Sequence, residues 1–491
     1  MGESLVKSVA VIGAGISGVV SAAHLLAAGL EVTVFERNKA AGGVWLFDER
    51  KPIEPLYPSI KPSEADRLGD DPRKEERKTL EHAPPGPCYE GLSNNVSTPL
   101  MRVKLNAWPE GTPDFVSHKI MKEYIQDTSR KTGVEQVTIY GACVSRIQKN
   151  TSGWEVTWST LHEDPQTGKL EEKEATSAFD AVVVGSGHYH APRIPDIPGL
   201  SEAKARWPSQ ILHSKGYRKP ENLDGKNVLL IGGGVSSSDI ARELGPVAQD
   251  IYQSTRSGEF DLPSNLLPEN GLRIGEIASF EILPEAETPL ADNGPLPIKI
   301  HLKSGETLCG VDQVFICTGY HITLPFLRDF HEDGTRPADA SDTVLVTDGS
   351  QVHNLYKDIF YIPDPTLVFV GIPYYTATFT LFEFQAIVVT AVFAGVAKLP
   401  PRESMKEEYR EKLRQKGCGR GFHSLKNVEE SYVKDILGWI NSDRESLGLA
   451  PVEGHTAAWK SAKEAQRAKL AVIFGSSEKS ALQVATLPVC A

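Results

Sequence analysis

Apolar residues run together at Val9–Ile12, break at the glycine turn "GAGISG", and return with helical spacing over Ser17–Leu26 before the strand pattern "EVTVFE", Glu31–Glu36. This order predicts a βαβ unit. Charge and proline then replace periodicity from Lys51 to Pro87, including "DDPRKEERK", which predicts a solvated excursion. Alternation resumes at "VTIYGACVSRI" and "WEVTWSTL", read as two antiparallel strands, followed by a buried strand in "FDAVVVGSG", Phe179–Gly187. "HAPRIPDIPG" reads as a linker. Beyond it a second βαβ unit is predicted, with strand Val228–Ile231, helix Ser236–Leu244 and strand Ile251–Thr255, and then a buried strand in "VDQVFICTGY" that echoes "FDAVVVGSG". Helical patterning dominates after Phe382 and ends in a surface helix and a loose tail.

The echo predicts an α/β fold with two dinucleotide-binding, Rossmann-like domains, the second inserted into the first. The expected boundaries are 1–195 and 321–454 for the interrupted domain, 206–320 for the insert, and 455–491 for the C-terminal helix and tail.

Each unit carries a glycine turn. Gly13, Gly15 and Gly18 have G-x-G-x-x-G spacing: a tight turn, a close backbone approach to a pyrophosphate, and close packing of helix on strand. Glu36 ends the following strand, where a carboxylate accepts ribose hydroxyls. A free ribose points to FAD. The second turn has Gly232 and Gly234 with Ser237 in third place, and Ser254 and Arg256, with no carboxylate, stand at the tip of its next strand. A guanidinium bonds a ribose 2′-phosphate that a carboxylate would repel, which points to NADPH. The plainer alternatives are a ligand-free turn and a solvated arginine. Two turns of this kind equip a chain to move a hydride onto a flavin.

Composition narrows the chemistry further. The 52 basic and 64 acidic residues among 491 give a net charge of −12, and no Lys/Arg block offers a nucleic-acid or anionic-lipid surface. The apolar run Ala386–Ala397 is shorter than the ~20 residues of a membrane span and reads as a buried helix. No signal-peptide pattern precedes the first turn, so a cytoplasmic chain is expected and the N-x-S/T matches at Asn95 and Asn150 read as chance. The six cysteines contain no C-x-x-C pair, and "GHYHAP" alone does not make a metal site; a reduced, metal-free chain is expected.

In order and spacing, "GAGISG", "FERNKAAGGVW", "YEGLSNNVSTPLM", "HSKGYR", "GGGVSSSDIA", "STRSG", "CTGYHITLPFL" and "LFEFQA" resemble the flavin-containing monooxygenases from Val9 to about Pro400. The family signature F-x-G-x-x-x-H-x-x-x-Y-[KR] falls on Trp207, Ser209, His213, Tyr217 and Arg218, departing at the first two. The resemblance implies that Gly13, Gly15, Gly18, Glu36, Trp45, Asn95, Val144, Thr318, Gly319 and Gln385 hold FAD. For NADPH it implies Gly232, Gly234, Ser236, Ser237, Ser254, Arg256, His213 and Tyr217. Asn95 and Tyr217 become the catalytic candidates, although Asn94 occupies the motif's Thr position and leaves the register one residue open.

The implied reaction is NADPH reduction of FAD, addition of O2 to give a C4a-hydroperoxide, and oxygen transfer to nitrogen or sulfur of a small molecule. Baeyer–Villiger monooxygenases, which carry Trp followed by Pro or Asp at Tyr217-Arg218, are the alternative. A disulfide reductase would need a dithiol that the cysteine spacing does not supply, and a nucleotide-binding redox sensor would show no NADPH-dependent oxygen uptake. A homodimer is compatible with the sequence, and no code for the substrate is readable around Tyr374–Phe382.

Overall fold

Val9, Ala10, Val11, Val182 and Val183 are fully buried. Strands apolar on both faces belong at the centre of a parallel sheet covered by helices. Ser8–Ile12 accordingly lies between Glu31–Glu36 and Ala181–Val184, parallel to both, in a computed structural model that describes residues 6–65, 68–69, 73–284 and 294–475. Thr138–Tyr140 closes one edge of this seven-stranded sheet, and Leu367–Phe369, Phe360–Tyr361 and Leu355–Tyr356 extend the other. Strands from both ends of the chain therefore share one sheet.

The chain between them builds a five-stranded parallel sheet on the same plan. Asn227–Ile231 runs between Asp250–Ser254 and Gln313–Ile316, with Gly271–Ile274 and Ile211–His213 outside. Helix Val235–Leu244 follows its central strand as helix Ile16–Ala27 follows the central strand of the larger sheet. The fold is α/β with two Rossmann-like units, as the repeated pattern predicts.

Three local expectations need correction. "VTIYGACVSRI" is two strands, not one, because Gly141 takes a left-handed turn (φ 73°) between Thr138–Tyr140, which pairs parallel with Glu31–Glu36, and Cys143–Asn150, which pairs antiparallel with Gly153–Glu163. The stretch read as a bare linker contains Ala191–Pro192, which pairs antiparallel with Tyr320–His321, so the two chain crossings between the sheets brace each other. The Lys51–Pro87 excursion is only partly solvated: it includes helix Lys74–His82, it buries Ile53, Pro55 and Leu80, and Glu54 accepts hydrogen bonds from the His213 amide (3.0 Å) and the Tyr57 hydroxyl (2.9 Å).

Helix Thr378–Phe393 packs against Ile16–Ala27 and is buried nearly all round, which explains its missing polar face. Among the described residues no helix is long and apolar enough to cross a membrane. Cys88, Cys143, Cys317 and Cys418 are free thiols, whereas Cys309 is disulfide-bonded, a departure from the wholly reduced chain expected.

Two glycines of the turns, Gly18 in third place of the first and Gly234 in second place of the other, differ in the room around them. A methyl group on Gly18 would sit 1.8 Å from the Gly13 carbonyl oxygen, while one on Gly234 meets nothing within 4 Å. Gly18→Ala is expected to lose at least ~3 kcal/mol of stability through that clash. Gly234→Ala should melt near the parent temperature. Thermal unfolding of the pair checks this; equal losses would mean the two turns pack alike.

Candidate functional site

Both glycine turns open on one cavity of about 2940 Å³, well beyond the ~1000 Å³ of a large single-ligand site. Gly13 (φ 98°) and Gly232 (φ 125°) make the same left-handed turn, and each amide donates at 2.8 Å to the neighbouring strand, to the Phe35 and Ser254 carbonyls. The helices that follow start at Gly15 and Gly234, with no side chain capping either N-terminus. Uncapped helix starts present free amide donors and a favourable dipole to an anion. Two such starts on one cavity make two phosphate cradles.

The tips of the next strands differentiate the cradles. Glu36 is 4% exposed. Its Oε2 accepts the Ala14 amide at 2.7 Å, and its Oε1 accepts the Asn38 amide at 2.8 Å and the Asn38 carboxamide at 2.7 Å. The carboxylate is thereby fixed at the cavity wall with lone pairs left to accept hydroxyls. At the other tip, Ser254 Oγ donates to the Gly275 carbonyl at 2.8 Å, while Arg256 is exposed on the cavity and makes no hydrogen bond or ion pair among the described residues. One cradle is closed by an acceptor and the other by a cation. The residues present therefore fit a dinucleotide with a free ribose beside one carrying a 2′-phosphate.

The expected site residues divide into those at the cavity and those behind it. Gly13, Gly15, Glu36, Trp45, Asn95, Val144, Thr318 and Gly319 line it from the larger unit, and Tyr217, Gly232, Gly234, Ser236, Ser254 and Arg256 from the smaller. Gly18, His213, Ser237 and Gln385 do not. Ser237 Oγ donates to the Gly234 carbonyl (2.9 Å) and accepts from Gln253 (2.8 Å), so it packs helix on strand in the glycine's place. Gln385 accepts the Gly371 amide at 3.0 Å and donates to Tyr432 at 2.8 Å, holding the cavity-lining Gly371 from behind.

His213 is fully buried; Nδ1 accepts the Lys215 amide (3.1 Å), which leaves Nε2 to donate to the Gly319 carbonyl (3.2 Å). Tyr217 lines the cavity, yet its hydroxyl donates to Glu243 at 2.7 Å, and Arg218 spends its guanidinium on the Lys215, Tyr217, Arg50 and Gly86 carbonyls. The signature stretch thus holds backbone together, and neither Tyr217 nor Arg218 offers a free donor.

The Asn pair separates cleanly. Asn94 is 3% exposed; it accepts the Val116 amide (2.6 Å) and donates to the Val96 and Asp114 carbonyls (2.7 and 2.9 Å). The side chain of Asn95 makes no hydrogen bond among the described residues and lines the cavity.

Comparison with known proteins gives the family. Residues 6–60, 81–267 and 300–449 match the family described as flavin-binding monooxygenase-like. The chain is 53% identical over 483 residues to the flavin-containing monooxygenase ustF2 of Aspergillus flavus, covering 94% of this chain and 97% of that one. It is 27% identical to iboF of Amanita muscaria, covering 90% and 89%. This chain belongs to the flavin-binding monooxygenase family. Among solved structures its fold is similar to that of S-allyl-L-cysteine S-oxygenase from Allium sativum (TM-score 0.69, 24% identity, 96% of this chain and 95% of that). A cyclohexanone monooxygenase shares the fold more distantly (TM-score 0.52, 13% identity, 91% and 99%).

Within this flavin-binding monooxygenase the two signature departures lie away from the cavity: Trp207 fills the core of the smaller unit, and exposed Ser209 donates to Gln210. Three groups at the cavity escaped sequence reasoning. Lys215 is 6% exposed and donates to the His190 carbonyl at 2.8 Å; burial, helped by Arg37 and Arg218 and opposed by Glu54, brings it down to about 7. Arg420 lies 4.8 Å over the Phe260 ring, which stacks on Tyr375 where the two units meet. Lys463, Gln466 and Arg467 reach the cavity from the C-terminal helix. A lysine inside the "HSKGYR" stretch was the one available signal.

Two outcomes are expected. Asn94→Ala should cost about 2 kcal/mol, since the buried Val116 amide and the part-buried Val96 and Asp114 carbonyls lose their partner, whereas Asn95→Ala should leave chemical unfolding unchanged; the reverse order would exchange their roles. Burial, reinforced by the Lys215 charge, brings His213 down to about 3, so between that value and ~6.5 the unfolded chain binds a proton that the folded chain refuses. Stability should therefore fall as pH drops through this window. His213→Gln should flatten that slope by up to ~1.4 kcal/mol per pH unit, and an unchanged slope would show that His213 is not held neutral.

Proposed function

We propose that this flavin monooxygenase binds FAD in the Gly13–Glu36 cradle and NADPH in the Gly232–Arg256 cradle, and uses O2 to place one oxygen atom on nitrogen or sulfur of a small molecule. The observation that carries the reading is the shared cavity, with a buried carboxylate closing one cradle and an unpaired arginine closing the other. When bound, FAD supplies the redox chemistry, accepting a hydride from NADPH and activating O2.

The protein's own part is positional. Amides at the two helix starts hold the pyrophosphates, Glu36 orients one ribose, and Arg256 neutralises the 2′-phosphate. The Asn95 carboxamide offers a donor and an acceptor at the wall of a cavity that Val96, Met101, Phe379 and Phe382 also line, hydrocarbon that would keep water from the reacting atoms. No strong acid or base is required of the chain. Arg218 acts by holding the loop that carries Lys215 to the Gly86 and Arg50 segment, and Tyr217 ties the same loop to Glu243.

Arg256→Ala should weaken NADPH by ~2–4 kcal/mol and leave NADH nearly unchanged, measured by cofactor titration; equal losses would assign Arg256 to structure. The reaction class is decided by mass spectrometry of a panel of thioethers, tertiary amines and ketones supplied with NADPH and air. Sulfoxide or N-oxide should exceed ester. Predominant lactone or ester would move the chain to carbonyl oxygenation.

A further inference from the structure

The matched family residues end at 449, and the C-terminal helix Ala457–Gly475 lies beyond them. Even so, its Gln466, Arg467, Leu470 and Ala471 line the same cavity as Asn95. We propose that this helix is a wall of the reaction chamber and that Gln466 is a positioning residue that aims Asn95, an inference that rests on the placement of Asn95 at the reaction centre.

The helix is docked at several points along one face. Trp459 is 5% exposed, donates from Nε1 to the Leu100 carbonyl at 3.2 Å, and stacks on His455 at 3.5 Å. One turn on, Lys463 Nζ donates at 2.6 Å to buried Glu429, whose other oxygen accepts the Thr376 hydroxyl and the Ala377 amide. Residues 459, 463, 466 and 470 recur at helical spacing, so a helix fixed at Trp459 and Lys463 must present residue 466 to the same neighbour.

That neighbour is the reaction loop. Gln466 Oε1 accepts the Ser97 amide at 2.9 Å, and Nε2 donates to the Asn95 carbonyl at 3.3 Å. A single carboxamide thus bonds the backbone on both sides of Val96, as a partner strand would. Asn94 fixes the preceding residue through the Val116 amide and the Val96 and Asp114 carbonyls. The Asn95 side chain has no hydrogen bond among the described residues, so its direction follows from these two anchors: Asn94 from within the matched family residues, and Gln466 from the C-terminal helix. Misplacement of a reacting-centre group by about 1 Å is enough to change rates ~100-fold.

Gln466→Met keeps the side-chain length and removes both bonds. Lys469→Ala, on the same helix, removes only the exposed Lys469–Asp114 pair (3.3 Å) and serves as the control for docking. Two readouts are compared on FAD-loaded protein: hydrogen exchange of the peptide containing Ser97, and hydrogen peroxide released per NADPH in air without substrate. Gln466→Met is expected to exchange the Ser97 amide about tenfold faster and to raise peroxide release several-fold, with Lys469→Ala like the parent. Unchanged Ser97 exchange, or equal effects in both variants, would overturn the proposal. Asn95→Ala, run in parallel, separates the failures. If it raises peroxide release and Gln466→Met does not, the positioning role falls while the functional reading stands; if Asn95→Ala has no effect, the placement of Asn95 falls and this inference with it.

Discussion

A helix must find partners for its first amides, and the two helices that follow the glycine turns begin at glycines that have no side chain to provide them. That unmet requirement is the constraint from which the site follows. A ligand anion would meet it, and it can be presented only if the strand before each helix ends deep in a sheet and turns sharply. The turn is possible because Gly13 and Gly232 take left-handed conformations. It is tight because Gly18 lies against Gly13, with no room for a methyl group. Placing each central strand between two parallel neighbours puts the turn at the point where the sheet order diverges, which is where an α/β fold leaves a crevice.

The duplication of that arrangement gives the chain its chemistry, and small differences at the strand tips give it polarity. Glu36 is immobilised by three N–H donors before any ligand arrives, so its orientation need not be fixed at the moment of binding. Arg256 has no acidic partner among the described residues, so a phosphate would not compete with one there. Between the cradles, Ala191–Pro192 and Tyr320–His321 pair, and His213 bonds the Gly319 carbonyl, so the two crossings that join the units are tied at the cavity itself.

The sequence carries much of this plan because glycine spacing, apolar runs and strand-tip charges are local signals. Gly13, Glu36, Gly232 and Arg256 can be read one after another, and each stands at the cavity. What the chain does not reveal is which side chains spend their hydrogen bonds on its own backbone. Nothing local distinguishes Asn94 from Asn95, yet three backbone partners claim the first and none the second. Gln385 sits in an apolar helix pattern, and only the approach of Gly371 explains it. His213 and Tyr217 belong to a recognisable stretch, but their partners Gly319 and Glu243 lie more than twenty residues away in sequence. The Lys51–Pro87 segment reads as solvated because its charge outweighs its few apolar positions, yet Ile53, Pro55, Ala65 and Leu80 are among those that pack.

We assign both cradles to one reaction, with a hydride passing between two dinucleotides held in a single cavity. Anaerobic mixing of the FAD-loaded protein with NADPH, followed by rapid-scan absorbance, tests it most directly. Complete loss of the oxidised flavin's visible absorbance by one equivalent of NADPH, at a rate that saturates with NADPH concentration, is the result the account predicts. A flavin that stays oxidised while NADPH is shown to be bound would contradict it.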